Sequence, residues 1–280
     1  MPEWRSIVVP LDGSMVAEGA LPLGAEIARR AGALLHLVHV RAPAGITVPA
    51  APADVLLEEQ PAYLSHEAER YGTGSPLCMT AALSEPDAVG ALTAYASASQ
   101  CDLVVLATHG HGALGRAWIG SMADQLVTAL PMPLLIVRPA DHPAATRERL
   151  RNVAVLLDGS ERAEAILDPV TRLGALFDAR YALIRVSPDT PRHGPGEARL
   201  YLEEVATVLR GRGLETATLV LPGWDVAAAV ADFAWGAGAD LIAVATHGRA
   251  GSARALRGSV AQELLRLGPA PLLTLLAPGD

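Results

Sequence analysis

The sequence predicts an α/β fold of two repeated doubly wound domains, each a five-stranded parallel sheet of order 3-2-1-4-5 flanked by helices. The first observation behind this is an internal repeat, which decides the architecture before any single element does. Ala107-Thr108-His109-Gly110, nine residues, then Gly120-Ser121 returns as Ala245-Thr246-His247-Gly248, nine residues, then Gly258-Ser259. The second is that short β-branched or Leu-rich runs alternate with longer amphipathic stretches in both halves, the pattern of βαβ units. The third is length: 280 residues make about two domains, so each half can bury a core of its own. The domains are placed at 1–140 and 151–280.

In the first half the strands are read at Ser6 to Leu11, Leu34 to Arg41, Leu77 to Ala82, Asp102 to Ala107 and Pro133 to Arg138. Ser14 caps the first helix, whose apolar positions Leu21, Ala25 and Ala28 stack at helical spacing before Gly32 stops it. The helix from Asp87 to Ala98 follows Pro86, and its counterpart after Gly223 runs from Asp225 to Ala237; both are Ala-rich and expected to be buried. The second half repeats this order. Ile7 to Ser14 is echoed by Val153 to Ser160, Cys101 to Leu106 by Ala239 to Val244, and Pro131 to Val137 by Pro269 to Leu275. The second copy is shorter, and the Pro- and Ala-rich stretch Ala42 to Asp54 accounts for the difference as an expected exposed loop. Right-handed crossovers make strands one and four neighbours, which opens a crevice at their carboxyl ends.

Composition narrows the function. A net charge of −8 and the lack of a basic patch exclude nucleic acid as a partner. The chain has no lysine, so no P-loop lysine and no lysine Schiff base can exist. No apolar run reaches the ~18 residues of a membrane helix, and Met1 to Ser6 lacks a signal-peptide layout, so the expected location is cytoplasmic. Cys78 and Cys101 give no disulfide or zinc spacing and are expected to be buried thiols.

Chemistry concentrates at the strand ends. Each Gly-rich loop turns a strand end into a row of free backbone N–H groups, and the Gly-Ser at its close opens a helix whose positive end favours phosphate. Asp12 and Asp158 each end the first strand of a half, facing the same crevice as the loop. An aspartate there is often a turn former or helix cap, but its recurrence beside a second Gly loop favours a functional place. Arg116 in the first loop and Arg249, Arg254 and Arg257 in the second are the available cations, or else a solvated loop face. His109, His111 and His247 make no transition-metal set, and His109 and His247 are read as ordering the loops by hydrogen bonding to backbone. His36 and His39 are strand histidines, while His66, His142 and His193 look like surface residues.

The Gly-x-x-Gly, nine residues, Gly-Ser pattern, with an Asp ending strand one and His39-Val40 ending strand two, resembles the universal stress protein family in its tandem form. The first glycine of that pattern is alanine in both halves, Ala107 and Ala245. The resemblance implies ATP, or ADP or AMP, with Mg2+ or Mn2+ accompanying the triphosphate. By position, Pro10, Leu11 and Asp12 would meet the adenosine and metal region, Val40 the adenine, and Ala107, His109, Gly110, Gly120, Ser121 and Met122 the phosphate loop. The matching set is Leu156, Leu157, Asp158, Val186, Ala245, His247, Gly248, Gly258, Ser259 and Val260, with Asp12 and Asp158 toward the metal. Pro10 becomes Leu156 and His39 becomes Arg185 in the second half.

No nucleophile–base–orienter set or arginine finger can be identified, so no catalytic residue is named. The leading reading is an ATP-binding sensor or regulator with an unknown protein partner and at most slow ATP hydrolysis. The alternatives are a nucleotide-free dimerisation or scaffold module of the same fold, and a nucleotide-cleaving enzyme on a related fold. The apolar last strands, Pro133 to Arg138 and Pro271 to Leu276, are expected to pair as an intrachain pseudo-dimer across the link Pro139 to Asn152, with a homodimer also conceivable.

Overall fold

The computed structural model describes residues 4–40, 60–72, 77–83, 87–108, 119–138, 149–187, 195–246 and 260–277. The chain divides into two compact units, Met1–Glu148 and Arg149–Asp280. In the first, β1 (Ser6–Leu11), α1 (Met15–Glu18), α2 (Leu21–Ala31), β2 (Leu34–Val40), α3 (Gln60–Gly72), β3 (Cys78–Leu83), α4 (Ala88–Ala98), β4 (Leu103–Ala107), α5 (Ile119–Ala129) and β5 (Leu134–Val137) follow in turn. Its strands lie in the order β3-β2-β1-β4-β5, every pair parallel. This is the expected 3-2-1-4-5 order.

The second unit repeats it with β6 (Asn152–Leu156), α6 (Glu161–Glu164), α7 (Leu167–Ala175), β7 (Arg180–Ser187), α8 (Pro195–Gly211), β8 (Thr216–Pro222), α9 (Val226–Ala237), β9 (Leu241–Thr246), α10 (Val260–Leu267) and β10 (Leu272–Leu276). Its order is β8-β7-β6-β9-β10, again parallel. β1, β4 and β9 are buried at every position, as parallel strands covered on both faces must be. The stretch 42–54 lies outside the described residues.

Three local departures have plain causes. The first helix is not continuous to Gly32: α1 is a single turn, and α2 starts afresh at Leu21 with Pro22 in its first turn, where the missing N–H costs nothing. The second unit breaks in the same way before Leu167, with Pro169 in the new first turn. Cys78 is only half-buried, unlike Cys101, because β3 is an edge strand of its unit's sheet. α4 and α9 bury one face rather than their whole surface, and Trp235 of α9 is largely exposed.

A repeated aspartate secures the lower end of each sheet. Asp102 accepts hydrogen bonds through Oδ2 from the Arg5 and Ser6 amides at 2.7 and 3.1 Å, just before β4 and at the start of β1. Asp240 accepts from the Asn152 amide at 3.0 Å in the second unit. These bonds fix the two neighbouring central strands at the end away from the crevice.

Candidate functional site

In both units the chain leaving the central strand makes the same turn. Asp12 Oδ1 accepts from the Ser14 amide at 2.9 Å, and Ser14 Oγ accepts from the Ala17 amide at 3.2 Å, capping α1. Asp158 Oδ1 accepts from the Ser160 amide and hydroxyl at 2.9 and 2.6 Å, and Ser160 Oγ accepts from Ala163 at 3.1 Å. Gly13 and Gly159 have φ of +80° and +95°, a left-handed conformation that explains the Asp-Gly-Ser order. The aspartates therefore do form turns, as the plainer reading expected. That leaves a carboxylate held at the strand end with its orientation set.

Register brings the predicted residues to one edge. Val8 pairs with Val104, so Leu11 lies level with Ala107 three positions on; Leu11 also pairs with His39, which puts Val40 beside Asp12. Pro10 and Leu11 end β1, Val40 ends β2 and Ala107 ends β4. Gly120 and Ser121 occupy the first turn of α5, which begins at Ile119, and half-buried Met122 follows them. In the second unit Leu156 pairs with Val244, bringing Leu157 level with Ala245. Val186 lies one residue before the end of β7, and Val260 opens α10. His109, Gly110, His111, Arg116, His247, Gly248, Arg249, Arg254, Arg257, Gly258 and Ser259 lie outside the described residues, as do His142, His193 and the start of the expected link.

The walls beside the aspartates hold residues that lie outside the repeated motifs. Tyr63 on α3 donates to Glu18 Oε1 at 3.2 Å, and Tyr201 on α8 donates to Glu164 Oε1 at 3.0 Å. Burial, reinforced by the neighbouring glutamate, pushes both phenols well above the ordinary tyrosine range. The signal was available: both glutamates lie six residues beyond the strand-end aspartate.

Past this shared pair the units diverge. In the first, His39 is buried edge-on to Tyr63, with ring centroids 6.2 Å apart and no hydrogen-bond partner at Nδ1. Burial lowers its pKa, partly opposed by the Asp12 charge. Glu67 on α3 is 3% exposed, and its Oε2 accepts no hydrogen bond. Burial, then the Glu18 charge, raises its pKa against Arg70. The repeat puts Arg185 at the place of His39 and Val205 at that of Glu67. Arg185 lies over the Tyr201 ring at 5.5 Å, and a Cβ on Gly159 would meet its Nη1 at 2.9 Å. One corner is thus acidic with a neutral histidine, and the other carries a fixed cation.

Among the described residues no three His, Cys, Asp or Glu side chains come together to hold a metal. A single strand-end carboxylate suits a hard cation that takes its other ligands from phosphate and water. No helix among the described residues is long and apolar enough to cross a membrane.

The universal stress protein family matches residues 3–138 and again residues 149–275. A universal stress protein of Mycolicibacterium smegmatis is 28% identical over 294 aligned residues, covering 96% of each chain. One of Thermus aquaticus is 30% identical and covers 48% of this chain and 99% of its own. Among solved structures, a universal stress protein of Archaeoglobus fulgidus superposes with a TM-score of 0.76 at 15% identity, covering 98% of both chains. With the family matched once in each compact unit and the same strand order in both, the chain belongs to the universal stress protein family in tandem-domain form.

Proposed function

We propose that each unit binds an adenine nucleotide, ATP or its di- or monophosphate, in the crevice at the strand ends, and that the chain acts as a cytoplasmic nucleotide-responsive regulator of a protein partner. The observation that carries this reading is the recurrence of an oriented aspartate directly beside the strand that feeds each Gly-rich loop. Val40 and Val186 would offer backbone groups to the base, and Gly120-Ser121 in the first turn of α5, with Gly258-Ser259 just before Val260 in the sequence, would receive phosphate. Asp12 and Asp158 are the residues suited to a Mg2+ or Mn2+ ion, which would neutralise phosphate charge. Val40, paired with Leu83, gives the adenine a wall with fixed backbone groups. Any hydrolysis is taken as a slow side activity of this binding.

Calorimetric titration of the nucleotide-stripped protein with ATP and magnesium, repeated on Gly120→Val and Gly258→Val, tests this. Saturable binding that disappears one site at a time supports the proposal. An intact protein that takes up no nucleotide refutes it and favours the scaffold reading.

A further inference from the structure

The second unit has a cleft of about 330 Å³ at the N-terminal ends of β6, β7 and β8, at the end of the sheet opposite Asp158. Its floor is one register row of alanines: Ala154 pairs with Ala182, and Ala182 with Ala217. Phe233 of α9, Asn152, Arg180 and Glu215 also line it.

The first unit shows what this space holds when it is filled. The corresponding row there is Val8, His36 and Met79. His36 is buried; its Nε2 lies 2.9 Å from Ser6 Oγ and its Nδ1 2.9 Å from the Tyr95 hydroxyl. Ser6 Oγ lies 3.3 Å from Cys101 Sγ. By the repeat, Ala182 stands for His36, Phe233 for Tyr95, Ala239 for Cys101 and Asn152 for Ser6. The imidazole ring, two hydroxyls and a thiol are all gone, and Asn152 turns elsewhere: its Oδ1 accepts from Arg180 Nε at 2.6 Å and its Nδ2 donates to Gly238 O at 3.4 Å. Each loss leaves apolar surface lining a cleft that opens to solvent, with Ala182 and Phe233 half-buried and Ala217 exposed.

We propose that this cleft is a second kind of binding site, separate from the nucleotide crevices, for a small neutral heteroaromatic molecule of one or two rings. Size sets the upper limit, because a cavity of about 150 Å³ already holds benzene and ligand pockets start at about 300 Å³. The lining favours an aromatic ring, which can pack on the row of three alanines beside Phe233. Charge favours neutrality: an anion drawn to Arg180 meets Glu215, and a cation drawn to Glu215 meets Arg180. A ring bearing both a donor and an acceptor can address Arg180 and Glu215 without a net charge.

The test uses the full chain with methyl-labelled alanine, titrated with 7-azaindole and followed by NMR. The expected result is that the Ala154, Ala182 and Ala217 methyl signals move together and saturably, with benzoate and benzylammonium binding at least about tenfold more weakly. A variant rebuilt on the first unit, Ala154→Val with Ala182→His and Phe233→Tyr, should weaken 7-azaindole binding by at least about tenfold while keeping a folded spectrum. Absence of saturable shifts in the native protein, shifts centred on other alanines, or equal binding of all three probes overturns the proposal. So does unchanged binding in the rebuilt variant. Should that variant fail to fold, the methyl map of the native chain decides alone.

Discussion

Glu67→Gln should stabilise the first unit near neutral pH. The native carboxylate is 3% exposed and one of its oxygens has no hydrogen bond, a deficit of about 1–3 kcal/mol for a buried polar atom. One cation stands close, Arg70 Nη1 at 3.6 Å. Its side chain is 56% exposed, so solvent screens the attraction to about 1 kcal/mol or less. Glu18 adds a repulsive charge. Burial therefore wins, and removing the charge should gain about 1–2 kcal/mol, or about 3–6 °C in Tm for a unit of this size.

The sign with pH follows from the raised pKa. The folded state keeps its proton at pH values where the unfolded chain has released it, so the favourable contribution is complete below the unfolded pKa and is lost as pH rises through the folded one. The glutamine variant does not titrate. Its advantage should be present by calorimetry at about pH 7.5 and shrink toward zero at about pH 4. A variant less stable than the native protein at neutral pH, or an equal gain at both pH values, would refute the reasoning.

Three further substitutions probe how the site and its sheet are supported. Ser14→Ala and Ser160→Ala each remove the oxygen that caps the first turn beyond the aspartate, and each should cost about 1 kcal/mol in urea unfolding; no change would mean that the aspartate turn holds the segment alone. Gly24→Ala would set a methyl carbon 2.6 Å from Val9 Cγ2 where α2 crosses β1, and should cost about 1–3 kcal/mol; an unchanged denaturation midpoint would show that the helix simply moves outward.

Much of the frame could be read from the chain. Two copies of one pattern fix strand order, because parallel strands and right-handed crossovers leave few alternatives, and β1 was bounded correctly from its apolar run. The strand-end aspartates stood out because they recurred. What escaped was of two kinds. The break at Gly19 and Ala20 lies inside an apolar pattern that stays helical in period across the gap, so only Pro22 marks it. The Tyr63–Glu18 contact spans 45 positions, and His39 looked like an ordinary strand histidine until α3 was laid over it. Pattern along a strand reports which face a side chain takes. It does not report which helix residue meets it from above.

The carboxylate shared by two amides at the foot of the first sheet has a mechanical consequence. Sliding β1 along β4 by one residue would part Asp102 from both Arg5 and Ser6, and would also turn every β1 side chain toward the opposite helix layer. Slippage is thereby barred at the middle of the sheet. Force applied where the strands end is passed to the segments that leave them, and the strands themselves serve as a fixed anvil.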